Sequence, residues 1–214
     1  MTATITRLYD DYASASQAVS QLERAGVPRD DISVVASNAD NWYSGDRKGG
    51  RDASGRVDRD RDGVDDRAEG AAAGAGIGAT VGGAVGLLAG LGLLAIPGIG
   101  PVVAAGWLVS TAAGAAAGGA TGGLIGALTQ AGVSEEDAHV YAEGVRRGGT
   151  LVTVRVPDGD RSRVETILDR SAVNISERGT AYRKAGWKRF DPDASAYTAE
   201  QVRKERDLYR RPAA

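Results

Sequence analysis

Apolar residues follow two short-range patterns at the ends of this chain, and a third pattern of different period fills its middle. Thr4–Tyr9 (TITRLY) is a short β-prone run. Asp10 and Asp11 follow it as helix-starting acids. Ala15, Ala18, Val19, Leu22 and Ala25 then fall at helical spacing, and Gly26 and Pro28 end that helix. Ile32–Ala36 (ISVVA) reads as a buried strand. The same alphabet returns after a long interruption. Ser134 and Asp137 make a capping arrangement, Glu135–Arg147 a helix, and Gly148-Gly149 its stop. Thr150–Val156 (TLVTVRV) is the clearest strand, with Leu151, Thr153 and Arg155 alternating against Val152, Val154 and Val156. Ser162–Ser171 is helical, and Val173–Ser176 (VNIS) is a candidate last strand.

The predicted order is βαβ, an interruption, then αβαβ, which is an α+β fold. Two strands are marginal alone. Residues 1–36 and 133–177 are therefore expected to combine as the halves of a ferredoxin-like βαββαβ sandwich, with the helix at Glu135 as an extra element.

The interruption, residues 70–132, repeats every fourth residue. Gly70, Gly74, Gly78, Gly82, Gly86 and Gly90 form one series. Gly106, Ser110, Gly114, Gly118, Gly122 and Gly126 form a second. Between them AIPGIGP (Ala95–Pro101) signals a turn. The expectation is a hairpin of two glycine-zipper helices packed along these small residues. A flexible linker would not hold a four-residue register twice. Glycine costs about 1 kcal/mol per residue in a helix against alanine, so such a hairpin needs close backbone contact or a solvent that forbids unpaired amides. A bilayer supplies the second condition. Gly70–Ala95 as a helix would rise about 39 Å, more than the ~30 Å of hydrocarbon. The strong apolar residues cluster toward the turn, which would place the hairpin tip deepest. The alternative is a hairpin packed against other copies of itself in water.

Charge sharpens these boundaries. No Asp, Glu, Lys or Arg occurs from Gly70 to Val133, whereas Asp46–Glu69, within the low-complexity linker 37–69, is dense in both signs. The linker contains Asp58, Asp60, Asp62, Val64, Asp66 and Glu69 at the spacing of a calcium loop, with Gly63 at its turn. Against calcium, Asp65 stands where a partnered loop has an apolar residue, no entering helix can precede it, and Arg59 and Arg61 interleave. The competing reading is a solvated, helix-starting boundary whose acids favour the positive end of the following helix. The tail, 178–214, carries ten basic residues against five acidic, a balance of +5, interleaved with Tyr182, Trp187 and Phe190. Thr198 and Gln201 make a capping box before a short helix. The tail suits either anionic lipid headgroups or packing on the domain. A formal net charge of -2 gives no general attraction to nucleic acid.

The absence of cysteine removes disulfides and thiolate chemistry, and the single histidine, His139, removes any two-histidine metal site. No catalytic constellation emerges, and Arg146-Arg147 reads as a complement to a helix dipole. The N-terminus lacks a basic start followed by an apolar core, so no signal peptide is expected.

Three stretches resemble the general stress protein 17M-like domain of the YflT-type heat-induced stress proteins: ITRLYDDYASASQAVSQLERAGVPRDDISVVA, LAGLGLLAIPGIGPVVAAGW and AGVSEEDAHVYAEGVRRGGTLVTVRV. The resemblance spans Ile5–Glu177. It implies a bacterial protein, often stress-linked, with no established enzymatic activity, and carries over no catalytic residue. The combined expectation is a non-enzymatic protein on the cytoplasmic side of the inner membrane, membrane-associated or inserted through its hairpin and homo-oligomeric. It has no cofactor beyond a weak Ca²⁺, no nucleic-acid partner and no evident small-molecule substrate. The alternative is a cytoplasmic homo-oligomer.

Overall fold

The computed structural model describes residues 2–43, 92–109, 111 and 123–209. The fold is α+β, built on a five-stranded antiparallel sheet of order β1-β5-β2-β4-β3. The strands are β1 (Thr2–Tyr9), β2 (Ile32–Ser37), β3 (Gly92–Ile96), β4 (Gly100–Ala105) and β5 (Thr150–Pro157). The helices are α1 (Tyr12–Arg24), α2 (Gly123–Gln130), α3 (Glu135–Arg146), α4 (Arg161–Leu168), α5 (Ile175–Lys184) and α6 (Ala199–Tyr209).

The expected caps are in place. Asp11 accepts from the Ser14 amide at 2.7 Å, and Gly26 ends α1 with φ +85. Ser134 accepts from the Asp137 amide at 3.1 Å. Thr198 and Gln201 form a reciprocal capping box before α6. The alternation in β5 splits as predicted. Val152, Val154 and Val156 join α1 and α4 in one core, with Ile5, Leu22 and Leu168. Leu151 faces a second core on the opposite side, with Leu108, Leu128, Tyr141 and Val145. Helices thus cover both faces of the sheet, which is why central strand β2 is buried at every position.

Two predicted elements are corrected. The first is the tip of the glycine hairpin. The turn lies where expected, with the Ile99 amide bonded to the Ile96 carbonyl at 3.1 Å and Gly98 at φ +71. Its flanks, however, are strands β3 and β4, which add to the sheet edge through β2. Leu94 and Val102 interrupt the four-residue glycine register between Gly90 and Gly106, and Ile96, Val102 and Val103 have high β-propensity there. Ile99, Val102 and Leu108, expected at the membrane-inserted tip, are buried in the domain's own core.

The second correction is the VNIS strand. Val173 donates one ladder-like bond to the Leu8 carbonyl at 2.8 Å. Asn174 then caps α5 by accepting from the Glu177 amide at 3.2 Å. An asparagine side chain that satisfies a helix start competes with a ladder, so the chain turns helical. Helix α5 runs through the expected 177/178 boundary, so Tyr182–Lys184 at the start of the tail are helical.

Candidate functional site

An open groove of about 1020 Å³ lies where the N-termini of α1 and α5 meet the flank of α6. Caps Asp11 and Asn174 place the first turns of both helices on it. Arg170, Arg178, Arg203 and Arg206 line it, matched by Asp10, Asp11, Glu177 and Asp207. Several of these charges are already engaged. Arg178 donates to Asp10 at 2.7 Å and lies 3.8 Å over the Tyr209 ring. Burial opposes its charge, but Tyr182 and Asp10 more than offset that, so its pKa is raised. Arg206 is paired with Asp40 and donates to the Gly148 carbonyl at 2.9 and 3.1 Å. Arg170 donates to Gln21 at 3.2 Å. With four arginines against four acids, the groove offers polar contacts of both signs without a net field for an anion. Its serines, Ser14 and Ser171, have no histidine among the groove-lining residues.

Behind the groove sits a buried ionic cluster that holds the tail. The Glu143 side chain is 0% exposed. It accepts from Arg147 Nε at 2.6 Å and from Arg146 at 3.2 Å. Arg147 also donates to Glu205 of α6 at 3.2 Å and lies 4.2 Å over the Tyr182 ring. Arg146 lies 4.8 Å over Tyr197. Tyr182, Phe190 and Val202 are buried. The aromatic residues that suggested lipid docking are thus used for packing on the domain. The Arg146-Arg147 pair, expected as a dipole complement, is a bridge between α3 and the tail. A carboxylate three and four residues before two arginines was the available signal, but nothing in the sequence placed Glu143 inside.

His139, on α3 and away from the groove, accepts from Arg189 Nε at 2.8 Å and lies 3.7 Å from the exposed Glu135 carboxylate. Burial and the Arg189 charge lower its pKa below 6.5, with Glu135 opposing. The unfolded chain therefore takes up a proton at a higher pH than the folded chain. The stability that neutral His139 allows is full above about pH 6.5 and falls as pH drops below it. Denaturant midpoints measured from about pH 8 to about pH 5 should fall across that window. His139→Gln should flatten this component, and an unchanged profile would show that His139 is not its source.

The other predicted residues are placed as follows. Asp58, Asp60, Asp62, Val64, Asp66 and Glu69 lie outside the described residues, as do Gly70, Gly74, Gly78, Gly82, Gly86, Gly90, Ser110, Gly114, Gly118 and Gly122. Two zipper glycines are described, and the structure does not bring them together. Gly106 closes β4 at φ +95 against Ile32 and Ser33, whereas Gly126 on α2 faces open space. Among the described residues, no group of three or more His, Asp or Glu could hold a metal ion, and no helix is long and apolar enough to cross a membrane. Among the described residues the exposed large apolar side chains are Trp42, Leu93 of outer strand β3, at 51%, and Leu208 of α6, at 66%. No known family matches the chain, and comparison with curated proteins and with solved structures gives no match either.

Proposed function

We propose that this protein is a non-enzymatic, general-stress-type scaffold that works as a homo-oligomer. The observation that carries this reading is the fate of the apolar part of the glycine block. Its described residues are built into the domain's own sheet and core, and that leaves an uncharged outer strand, β3, at the surface. A charge-free edge strand is a site for association between chains. The resemblance in Ile5–Glu177 supports the stress-linked, bacterial and non-catalytic part of the reading. We read the β1-β5-β2 core with α1 and α4 as a ferredoxin-like arrangement that has lost its fourth strand and gained the β3–β4 hairpin at the opposite edge.

A second reading keeps the protein at the cytoplasmic side of the inner membrane. What favours it is the uncharged sequence of 70–91 and 112–122, in which the four-residue glycine register persists. Carbonate washing of membranes, with solution mass measured with and without detergent, separates the two. Oligomers in the soluble fraction without detergent are expected for the scaffold. Retention on carbonate-washed membranes would favour the zipper hairpin, and a monomer free of membranes would overturn both. Calcium titration tests a third, minor reading of divalent-responsive assembly through Asp58–Glu69. Heat uptake or a change in mass is its expected signature.

A further inference from the structure

The two edges of the sheet differ in a way that specifies how copies meet. On β1, two of the outward carbonyls, those of Thr6 and Leu8, are occupied. Tyr141 Oη and Arg7 both donate to the Thr6 carbonyl at 2.9 Å, and the Val173 amide donates to Leu8 at 2.8 Å. On β3, the direction of each backbone group follows from Pro101. Pro101 has no N–H, and its carbonyl accepts from the Asn38 amide at 2.8 Å, so that position of β4 faces β2. Val103 has the same parity. Leu94, opposite Val102, therefore bonds inward, while Ala95 and Leu93, opposite Pro101 and Val103, turn their N–H and C=O outward. Among the described residues these outward groups have no partner.

We propose that β3 of one copy pairs antiparallel with β3 of a second copy about a two-fold axis at Leu94. The inference deepens the scaffold reading above and rests on it. Leu93 of each copy lies opposite Ala95 of the other, and each such pair exchanges two backbone hydrogen bonds. The two Leu94 side chains meet as a close, non-hydrogen-bonded pair on the face that carries α2 and α3. Leu93 and the opposing Ala95 meet on the other face, where both are exposed. The chain is charge-free from Gly70 to Val133, so two copies meet here without the like-charge repulsion that usually protects a sheet edge. Pro97, at the next outward position, has no N–H and ends the ladder. Because the same strand of each copy is used about a two-fold axis, the pairing is isologous and closes as a dimer rather than growing into a fibre.

The test uses Ala95→Pro in the full chain. This change removes the outward amide and leaves the β3–β4 ladder bonds untouched. The dimer should dissociate about tenfold more readily or worse, read by sedimentation or light scattering across a dilution series. Leu93→Asp alters only an exposed side chain and should weaken the dimer likewise, which guards against a folding defect in the proline variant. Leu208→Asp, at an exposed position on α6, should leave the mass unchanged. A monomeric wild type would overturn both the scaffold reading and this inference. A wild-type oligomer whose mass survives Ala95→Pro and Leu93→Asp would overturn the β3 pairing while leaving the scaffold reading intact.

Discussion

Glu143→Ala is expected to lower unfolding stability by about 3–5 kcal/mol, the range for removing one partner of a buried ion pair. The cost is not lost attraction alone. Arg147 and Arg146 would remain 12% and 15% exposed with their carboxylate gone, and their charges would be left poorly solvated. Arg147 would keep Glu205 and its stack on Tyr182, which bounds the effect. The tail should loosen at the same time, because Glu143 orients the arginine that holds α6. Denaturant unfolding gives the magnitude, and limited proteolysis around Tyr197 reports release of α6. Glu143→Gln keeps the shape and part of the hydrogen bonding, so it should cost less. A loss below about 1 kcal/mol for Glu143→Ala would mean that the cluster behaves as a surface ion pair.

Gly106→Ala is the second large effect. Gly106 has φ +95, and a Cβ there would meet the Ile32 carbonyl oxygen and lie 2.7 Å from Ser33 Cα. The neighbouring strand cannot yield, because Ser33 Oγ accepts from the Leu108 amide at 2.9 Å. A strained left-handed backbone costs about 1–3 kcal/mol and overpacking a further 1–3, so the loss should lie between about 2 and 6 kcal/mol. Gly126→Ala gives the contrast. Its Cβ would enter open space on a helix, so helix propensity should make it stabilising by up to about 1 kcal/mol. Equal destabilisation at both positions would restore a packed zipper at Gly106 and Gly126 and overturn the separate roles assigned here.

These two glycines show where sequence reading stopped. Both sit on one four-residue register, and the register alone gave them one role. Gly106 is needed because β2 approaches it, and that approach depends on β4 joining the sheet. The groove was equally hidden, since Asp10, Arg178 and Arg206 come together only when α1, α5 and α6 converge. Ser134, Asp11 and the Thr198–Gln201 box were legible because a cap is satisfied within three residues of itself.

What the sequence by itself determined is local. It marked β1, β2 and β5, helices α1, α3 and α4, the starts of α1, α3 and α6, the Pro97-Gly98 turn, and the charge boundary at Glu69. Each depends on periodicity, capping or turn chemistry within about one turn of chain. Only the tertiary structure decided what flanks that turn, what becomes of Val173, and which charges are buried. A Val- and Ile-rich segment becomes a strand when a sheet edge can pair with it, and β2 is that edge. A carboxylate is kept inside when arginines from its own helix turn inward to meet it, as Arg146 and Arg147 do for Glu143.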